Sequence, residues 1–148
     1  MKRLAERAGA SVRRECAAPV TVRSLEEIAI ENAVEGCVRE TFGAAVAIVQ
    51  ARDARDAGVR RAMQRIAKDE ARHSQLAWAV AEWIDGQLDA AARRRVQRAR
   101  EEAVAQLRRE TGQLTEAAIT ERLGMPTAAQ ASAMLDTLGG SLWSRIAA

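Results

Sequence analysis

Two stripes of apolar residues with helical spacing dominate residues 24–86. Each stripe advances by alternating steps of three and four positions, which places its members on one face of a helix. The first stripe consists of Ile28, Glu31, Glu35, Val38, Phe42, Ala45 and Val49, and the second of Val59, Met63, Ile66, Glu70, His73, Ala77, Val80 and Ile84. They predict two long helices, joined near residues 51–58, that pack against each other as an antiparallel hairpin.

Four polar residues interrupt these stripes: Glu31, Glu35, Glu70 and His73. If the hairpin turns near residues 52–53, Glu35 faces Glu70, and Glu31 faces His73 and Ser74. Three carboxylates and an imidazole in an apolar seam would lose hydration and repel one another, at a cost on the order of several kcal/mol per charge. A bound cation would compensate this cost. Carboxylate oxygens with one imidazole nitrogen suit iron or manganese, and less selectively zinc.

The spacing of Glu70 and His73 favours a shared metal ion. Residues at positions i and i+3 of a helix point the same way, so both side chains can reach one ion. Carboxylate metal sites in helical bundles combine such a Glu-x-x-His unit with a Glu from a neighbouring helix. The sequence therefore predicts a metal site made by Glu35, Glu70 and His73, with Glu31 as a further candidate ligand.

These motifs resemble the ferritin-like superfamily, and its rubrerythrin branch most closely. Glu35, followed by Arg39 four positions on and by an aromatic residue seven on, looks like the first-helix pattern of that branch. The aromatic residue here is Phe42, where the family usually has Tyr, so any role of that hydroxyl is absent. Glu70 and His73 resemble the second-helix Glu-x-x-His of the family, and the interval between the two glutamates is similar to the family's.

The resemblance covers residues 24–86 and implies an iron cofactor with ferroxidase or oxygen- and peroxide-linked oxidase chemistry. A complete di-iron centre would need a second Glu and a second Glu-x-x-His, but His73 is the only histidine of the chain. In one arrangement, two copies pack hairpin to hairpin and a two-fold axis doubles the ligands. Encapsulated ferritins, which this half-site also resembles, complete their iron centre across a subunit interface. In the other arrangement, apolar residues of the later helices fill the vacant half and leave a mononuclear or empty site.

A metal-free bundle is the alternative to any metal site. If the hairpin rotates slightly, Asn32, Ala67 and Ser74 line the seam between its helices, and the acidic side chains reach water. The protein would then act as a structural or interaction module.

Composition favours an all-α protein. Aromatic residues make up 3% of the chain and there are two prolines, so the core must be built from Ala, Leu, Val and Ile. We expect a ferritin-like up-and-down helical bundle with a long first hairpin and a shorter, broken second hairpin. Its 148 residues have the size of one domain, divided into a basic N-terminal arm, residues 1–23, and a helical domain, residues 24–148.

Local signals mark where helices begin and end. Ser24 and Glu27 form a capping box that starts the first helix, and Asp89 is the expected N-cap of a third helix that ends near Glu110. A final helix opens at Pro126 and Thr127.

The glycines give further expectations. Gly36 and Gly43 indicate close approach between helices, Gly86 fits a left-handed cap, and Gly139 with Gly140 indicates a kink.

A basic cluster on the third helix, Arg93–Arg95 with Arg98 and Arg100, is interpreted as a solvated face, with phosphate contact as the alternative. No aromatic residues interleave with these arginines to stack on bases, so no nucleic-acid partner is expected. The sequence shows neither the apolar run of a secretory signal nor an apolar stretch of about 20 residues. We therefore expect a cytoplasmic protein without a membrane partner, and a homo-oligomer if the ligands are doubled.

Overall fold

The computed structural model describes residues 2–10, 21–112 and 121–143. These residues are helical, with turns between the helices and no strand, which confirms the all-α class. The elements are α1 (Lys2–Arg7), α2 (Leu25–Glu31), the π-helix π1 (Asn32–Glu40), α3 (Thr41–Asp53), α4 (Ala57–Asp85), α5 (Ala90–Thr111), α6 (Ala128–Leu138) and a second π-helix, π2 (Gly139–Trp143).

The first long helix is continuous through α2, π1 and α3. It begins at the predicted capping box, in which the Ser24 hydroxyl accepts from the Glu27 N–H and the Glu27 carboxylate accepts from the Ser24 N–H. Two further helix starts are also confirmed. The Asp89 side chain accepts from the Ala92 N–H at the start of α5, and Thr127 caps α6 in a capping box.

The π-helix π1 changes the direction of the side chains that follow it. Hydrogen bonds in a π-helix span five residues instead of four, so each residue turns less about the axis than in an α-helix. As a result, Glu31 and Glu35 are exposed, whereas Val38 and Phe42 lie in the core. The prediction that these four residues share one face is wrong, because it assumed a regular α-helix throughout.

The pairing of the first long helix with α4 also differs from the prediction. Asn32 hydrogen-bonds to Ala77, and Thr41 to Ser74. A turn near residues 52–53 would instead have placed Asn32 opposite His73. The turn lies further along the chain, because α3 ends only at Asp53 and Asp56 caps the start of α4 through the N–H groups of the residues that follow it.

The main core lies between the first long helix, α5, α6 and π2. Its buried members are Val38, Phe42, Ala103, Leu107, Ala131, Leu135 and Trp143. A smaller cluster near the hairpin turn consists of Ala47, Met63 and Ala67. Trp78 packs at the edge of the main core, whereas Trp83 is exposed.

Glycines define two of the connections. Gly124 has φ +65°, and a Cβ there would lie 2.3 Å from the backbone nitrogen of Ala54. Only glycine therefore allows the chain before α6 to pass so close to the end of α3. Gly86 has φ −63°, in the right-handed helical region, so the predicted left-handed cap is wrong. Gly139 and Gly140 open π2 directly after α6.

Candidate functional site

Three of the four predicted ligands line one open groove. Glu31, Glu35 and His73 lie along it, between the first long helix and α4, and its volume is about 430 Å³. The other lining residues are Arg23, Ile28, Asn32, Gly36, Glu40, Leu76, Ala77 and Val80. The groove is therefore acidic at one helix and partly apolar at the other.

The four predicted ligands are not buried in the seam of the hairpin. The side chain of Glu35 is 62% exposed and that of Glu70 is 34% exposed, and Glu31 and His73 lie between these values. The prediction that they interrupt a buried apolar seam is wrong. Both the direction set by π1 and the shifted pairing with α4 leave them on the outer side of the hairpin.

Small residues and short polar side chains fill the seam instead. The Asn32 amide donates to the Ala77 carbonyl oxygen at 2.9 Å, the Thr41 and Ser74 hydroxyls lie 2.7 Å apart, and Ala67 is buried. This confirms the predicted alternative in which Asn32, Ala67 and Ser74 line the interface. Because each short polar group has a partner, the seam is closely packed without buried acids.

Gly36 allows the two helices to approach closely. A Cβ at Gly36 would lie 2.6 Å from the Ala77 Cβ, so no larger residue fits without a shift. The predicted close approach is confirmed at Gly36 but not at Gly43, where an added Cβ would meet nothing within 4 Å.

Arginines pair with the acidic residues of the groove. Arg23 forms an ion pair with Glu31, and the Arg39 Nε lies 3.8 Å from a Glu35 oxygen. Arg39 also donates two hydrogen bonds of 3.1 Å to Glu110 on α5, and these lower the pKa of the Glu110 carboxyl. Water and these guanidinium groups therefore compensate the charges for which we predicted a bound cation.

Within the described residues, a single chain does not gather three or more metal-ligating side chains in this conformation. Across residues 2–10, 21–112 and 121–143, no group of three or more His, Cys, Asp or Glu side chains could hold a metal ion. Within the predicted set, His73 Nδ1 lies 3.6 Å from a Glu70 oxygen. The mononuclear arrangement gains no support, although the chemistry of three carboxylates and an imidazole still suits iron or manganese.

Sequence reasoning missed a buried arginine in the core. Arg100 is 4% exposed and lies over the Trp78 ring, with its guanidinium carbon 5.6 Å from the ring centroid. It donates to Gln97 at 3.0 Å, and burial lowers its pKa. The spacing of Val96, Arg100 and Ala103 continues the apolar face of α5, and this signal could have separated Arg100 from the solvated cluster.

The other arginines of the basic cluster behave as a solvated face. Arg95 donates two hydrogen bonds to Glu26, at 2.5 and 2.8 Å, and Arg93 lies 3.7 Å from Asp85. The hydrogen bonds from Arg95 lower the pKa of Glu26. These pairs join α5 to α2 and to the end of α4, so part of this charge is used within the fold.

Cys37 is a fully buried residue of π1. Its thiol lies within hydrogen-bonding distance of the Ala77 carbonyl, with the sulfur 3.6 Å from the oxygen. Burial raises the pKa of the thiol to about 11. Because the reactive form of cysteine is the thiolate, this residue is inert near neutral pH.

No family model, curated protein or solved structure matches this chain. The resemblance to ferritin-like proteins is therefore carried by the motif residues alone. In the part of the chain that the structure describes, none of the helices combines the length and the apolar character that crossing a membrane requires.

Proposed function

We propose that the chain supplies half of an iron site, and that the groove binds ferrous iron when a second copy packs against it. The observation that carries this proposal is the position of Glu31, Glu35 and His73 in one open groove that is partly apolar along α4. Glu70 lies beside His73 at the edge of this set. The ferritin-like arrangement, and the ferroxidase or oxidase chemistry implied by the motifs, belong to this proposal.

The apolar wall supports association through the groove. Leu76 is 64% exposed, and Ile28 and Val80 also lie along the groove. Contiguous apolar residues on a surface, rimmed by polar ones, mark interaction sites. A two-fold axis along the groove would bring the same residues of two copies together and bury them on both sides.

The acidic wall supports a cation between the two copies. Pairing two grooves brings carboxylates towards carboxylates, and like charges placed together are unfavourable unless they are neutralised. Glu35, Glu70 and His73 from two chains supply four carboxylates and two imidazoles, the donor set of di-iron carboxylate bundles. An ion bound only by the assembled form would stabilise the dimer by mass action.

Anaerobic titration with ferrous iron, followed by sedimentation, tests the proposal. The wild type is expected to bind between half and two ions per chain and to dimerise as iron is added. Glu70→Ala and His73→Ala should each remove most of the binding. Glu102→Ala, at an exposed position on α5, is the control and should bind as the wild type does. Equal uptake by Glu70→Ala, or a monomer that holds iron at every concentration, would contradict the proposal.

A metal-free interaction module is the second candidate, and the arginine partners of Glu31 and Glu35 favour it, because they compensate both acids without a metal. Leu76→Ser tests whether dimerisation uses the groove, and a chelator then distinguishes the two candidate functions. Ile48→Ser is its matched control, since Ile48 is also exposed, at 57%, but does not line the groove. Dimerisation that Leu76→Ser abolishes, and that a chelator leaves unchanged, would favour the metal-free module.

A further inference from the structure

The π-helix π1 is unusually long and runs along the groove. Most π-helices are single-turn insertions in α-helices, often at functional sites, because their hydrogen-bond geometry is rarely favourable over a longer stretch. Here π1 spans nine residues, and four of them, Asn32, Glu35, Gly36 and Glu40, line the groove. Something outside the helix must therefore stabilise this hydrogen-bond pattern.

The end of π1 creates a need for an extra hydrogen-bond donor. In π1 each N–H donates to the carbonyl five residues back, and in the α-helix that follows to the carbonyl four residues back. At the change from one pattern to the other, one carbonyl in the last turn of π1 is skipped and has no backbone N–H partner. A buried carbonyl without a partner is costly. The Trp143 indole N–H donates to the carbonyl oxygen of Cys37, in this last turn, at 2.9 Å.

This hydrogen bond is well placed to act as a fixed constraint. Trp143 is buried in the main core and lies 106 residues beyond Cys37 in the chain. On the opposite side of π1, Asn32 and the Cys37 thiol both contact the Ala77 carbonyl, and Gly36 packs against Ala77. The π-helix is thus held between α4 and π2.

We infer that Trp143 is a positioning residue for the carboxylates of the groove. Its N–H holds the five-residue pattern of π1, and this pattern sets the direction of Glu31 and Glu35 relative to Val38 and Phe42. Because Val38 and Phe42 are anchored in the core, a return to the four-residue pattern would rotate the two acids away from their present places in the groove. The consequence for metal binding rests on the proposed function, whereas the hydrogen-bond pattern does not.

The experiment compares Trp143→Phe with Thr111→Val. Both changes remove a buried side-chain donor to a backbone carbonyl, since the Thr111 hydroxyl donates to Leu107 at 2.9 Å. NMR couplings across hydrogen bonds report which carbonyl each amide of residues 36–40 donates to. We expect a change towards acceptors four residues back in Trp143→Phe only, although both variants lose thermal stability.

A Trp143→Phe protein that keeps acceptors five residues back would overturn the inference. If this variant does not fold, replacement of Trp143 by 3-benzothienylalanine keeps the ring shape and removes only the N–H, and the same couplings then decide.

Ferrous iron affinity provides a second measurement on the same variants. Residues that orient metal ligands typically change affinity by about 10-fold to 100-fold when they are mutated, and we expect a loss of this size in Trp143→Phe and none in Thr111→Val. If the wild type binds no iron, the proposed function fails, but the NMR comparison still decides the role of Trp143. Equal iron affinity of wild type and Trp143→Phe, in a wild type that does bind iron, would overturn the positioning role.

Discussion

The seam and the groove adjoin each other along the same stretch of helix and share Asn32, Gly36 and Ala77, but their other residues are of different kinds. In the seam, Gly36 and Cys37 contact Ala77 with almost no free space. In the groove, Glu31 and Glu35 extend into solvent and pair with arginines. Because the seam is closely packed, its residues contribute to the free energy of unfolding. The side chains of the groove are exposed, so changing them should affect this free energy little. Mutations should therefore separate the two surfaces sharply.

The largest contrast is expected between two large apolar residues, one in the core and one in the groove. Phe42 is buried in the main core, and Leu76 is exposed in the groove. Phe42→Ala should lower the free energy of unfolding by about 3–5 kcal/mol, because it leaves a cavity. Leu76→Ala should change it by no more than about 0.5 kcal/mol in the monomer. Urea unfolding at low protein concentration measures the free energy of unfolding of both variants. Similar losses would mean that Leu76 is buried in the folded monomer.

This contrast shows how far the sequence could predict the fold. Capping residues act locally, so the starts of α2, α5 and α6 were predictable from Ser24, Asp89 and Thr127. Ala103 and Leu107, which are buried in α5, likewise follow regular helical spacing. These predictions needed no knowledge of distant contacts.

The candidate site was only half predictable. The motif residues do gather on one surface, but their exposure depends on π1, and a π-helix leaves no simple periodic signal. Its hydrogen-bond pattern is supported by Ala77 and Trp143, which are distant in the chain. The shifted hairpin pairing also involves a distant contact, because the packing of Gly36 against Ala77 accompanies the later turn at Asp56.

The second prediction tests the close packing of the seam. Gly36→Ala should destabilise the protein by about 1–3 kcal/mol, the usual cost of overpacking, because its new Cβ would overlap the Cβ of Ala77. Adding Ala77→Gly should recover part of this loss, although a helical glycine itself costs about 1 kcal/mol. Gly43→Ala is the control, since it meets open space, and should be neutral or stabilising. Additive effects of Gly36→Ala and Ala77→Gly would mean that the two residues do not touch.

The third prediction uses the pKa of Cys37, which burial raises from about 9 to about 11. The folded chain therefore holds the thiol proton more tightly than the unfolded chain. This contribution to stability is complete below pH 9 and is lost as the pH rises towards 11. At pH 10 the wild type should have lost about 1 kcal/mol more than Cys37→Ala, relative to pH 7. Urea unfolding at the two pH values measures this, and parallel losses would show that the thiol is accessible to water.

The smallest effect is expected at the ion pair of Arg39 and Glu110, which joins π1 to α5. The hydrogen bonds from Arg39 lower the pKa of Glu110 below its unfolded value, so the pair stabilises the protein above that unfolded value and the contribution is lost as the pH falls through the lower folded one. Between pH 6 and pH 3, Arg39→Gln should therefore lose less stability than the wild type. The difference should shrink in high salt, because the pair is partly exposed and is screened. Arg98→Gln removes one positive charge from the exposed side of α5 without touching this pair, and should follow the wild type. If Arg39→Gln and Arg98→Gln have the same acid dependence, net charge rather than the bridge from π1 to α5 sets the acid limit of the fold.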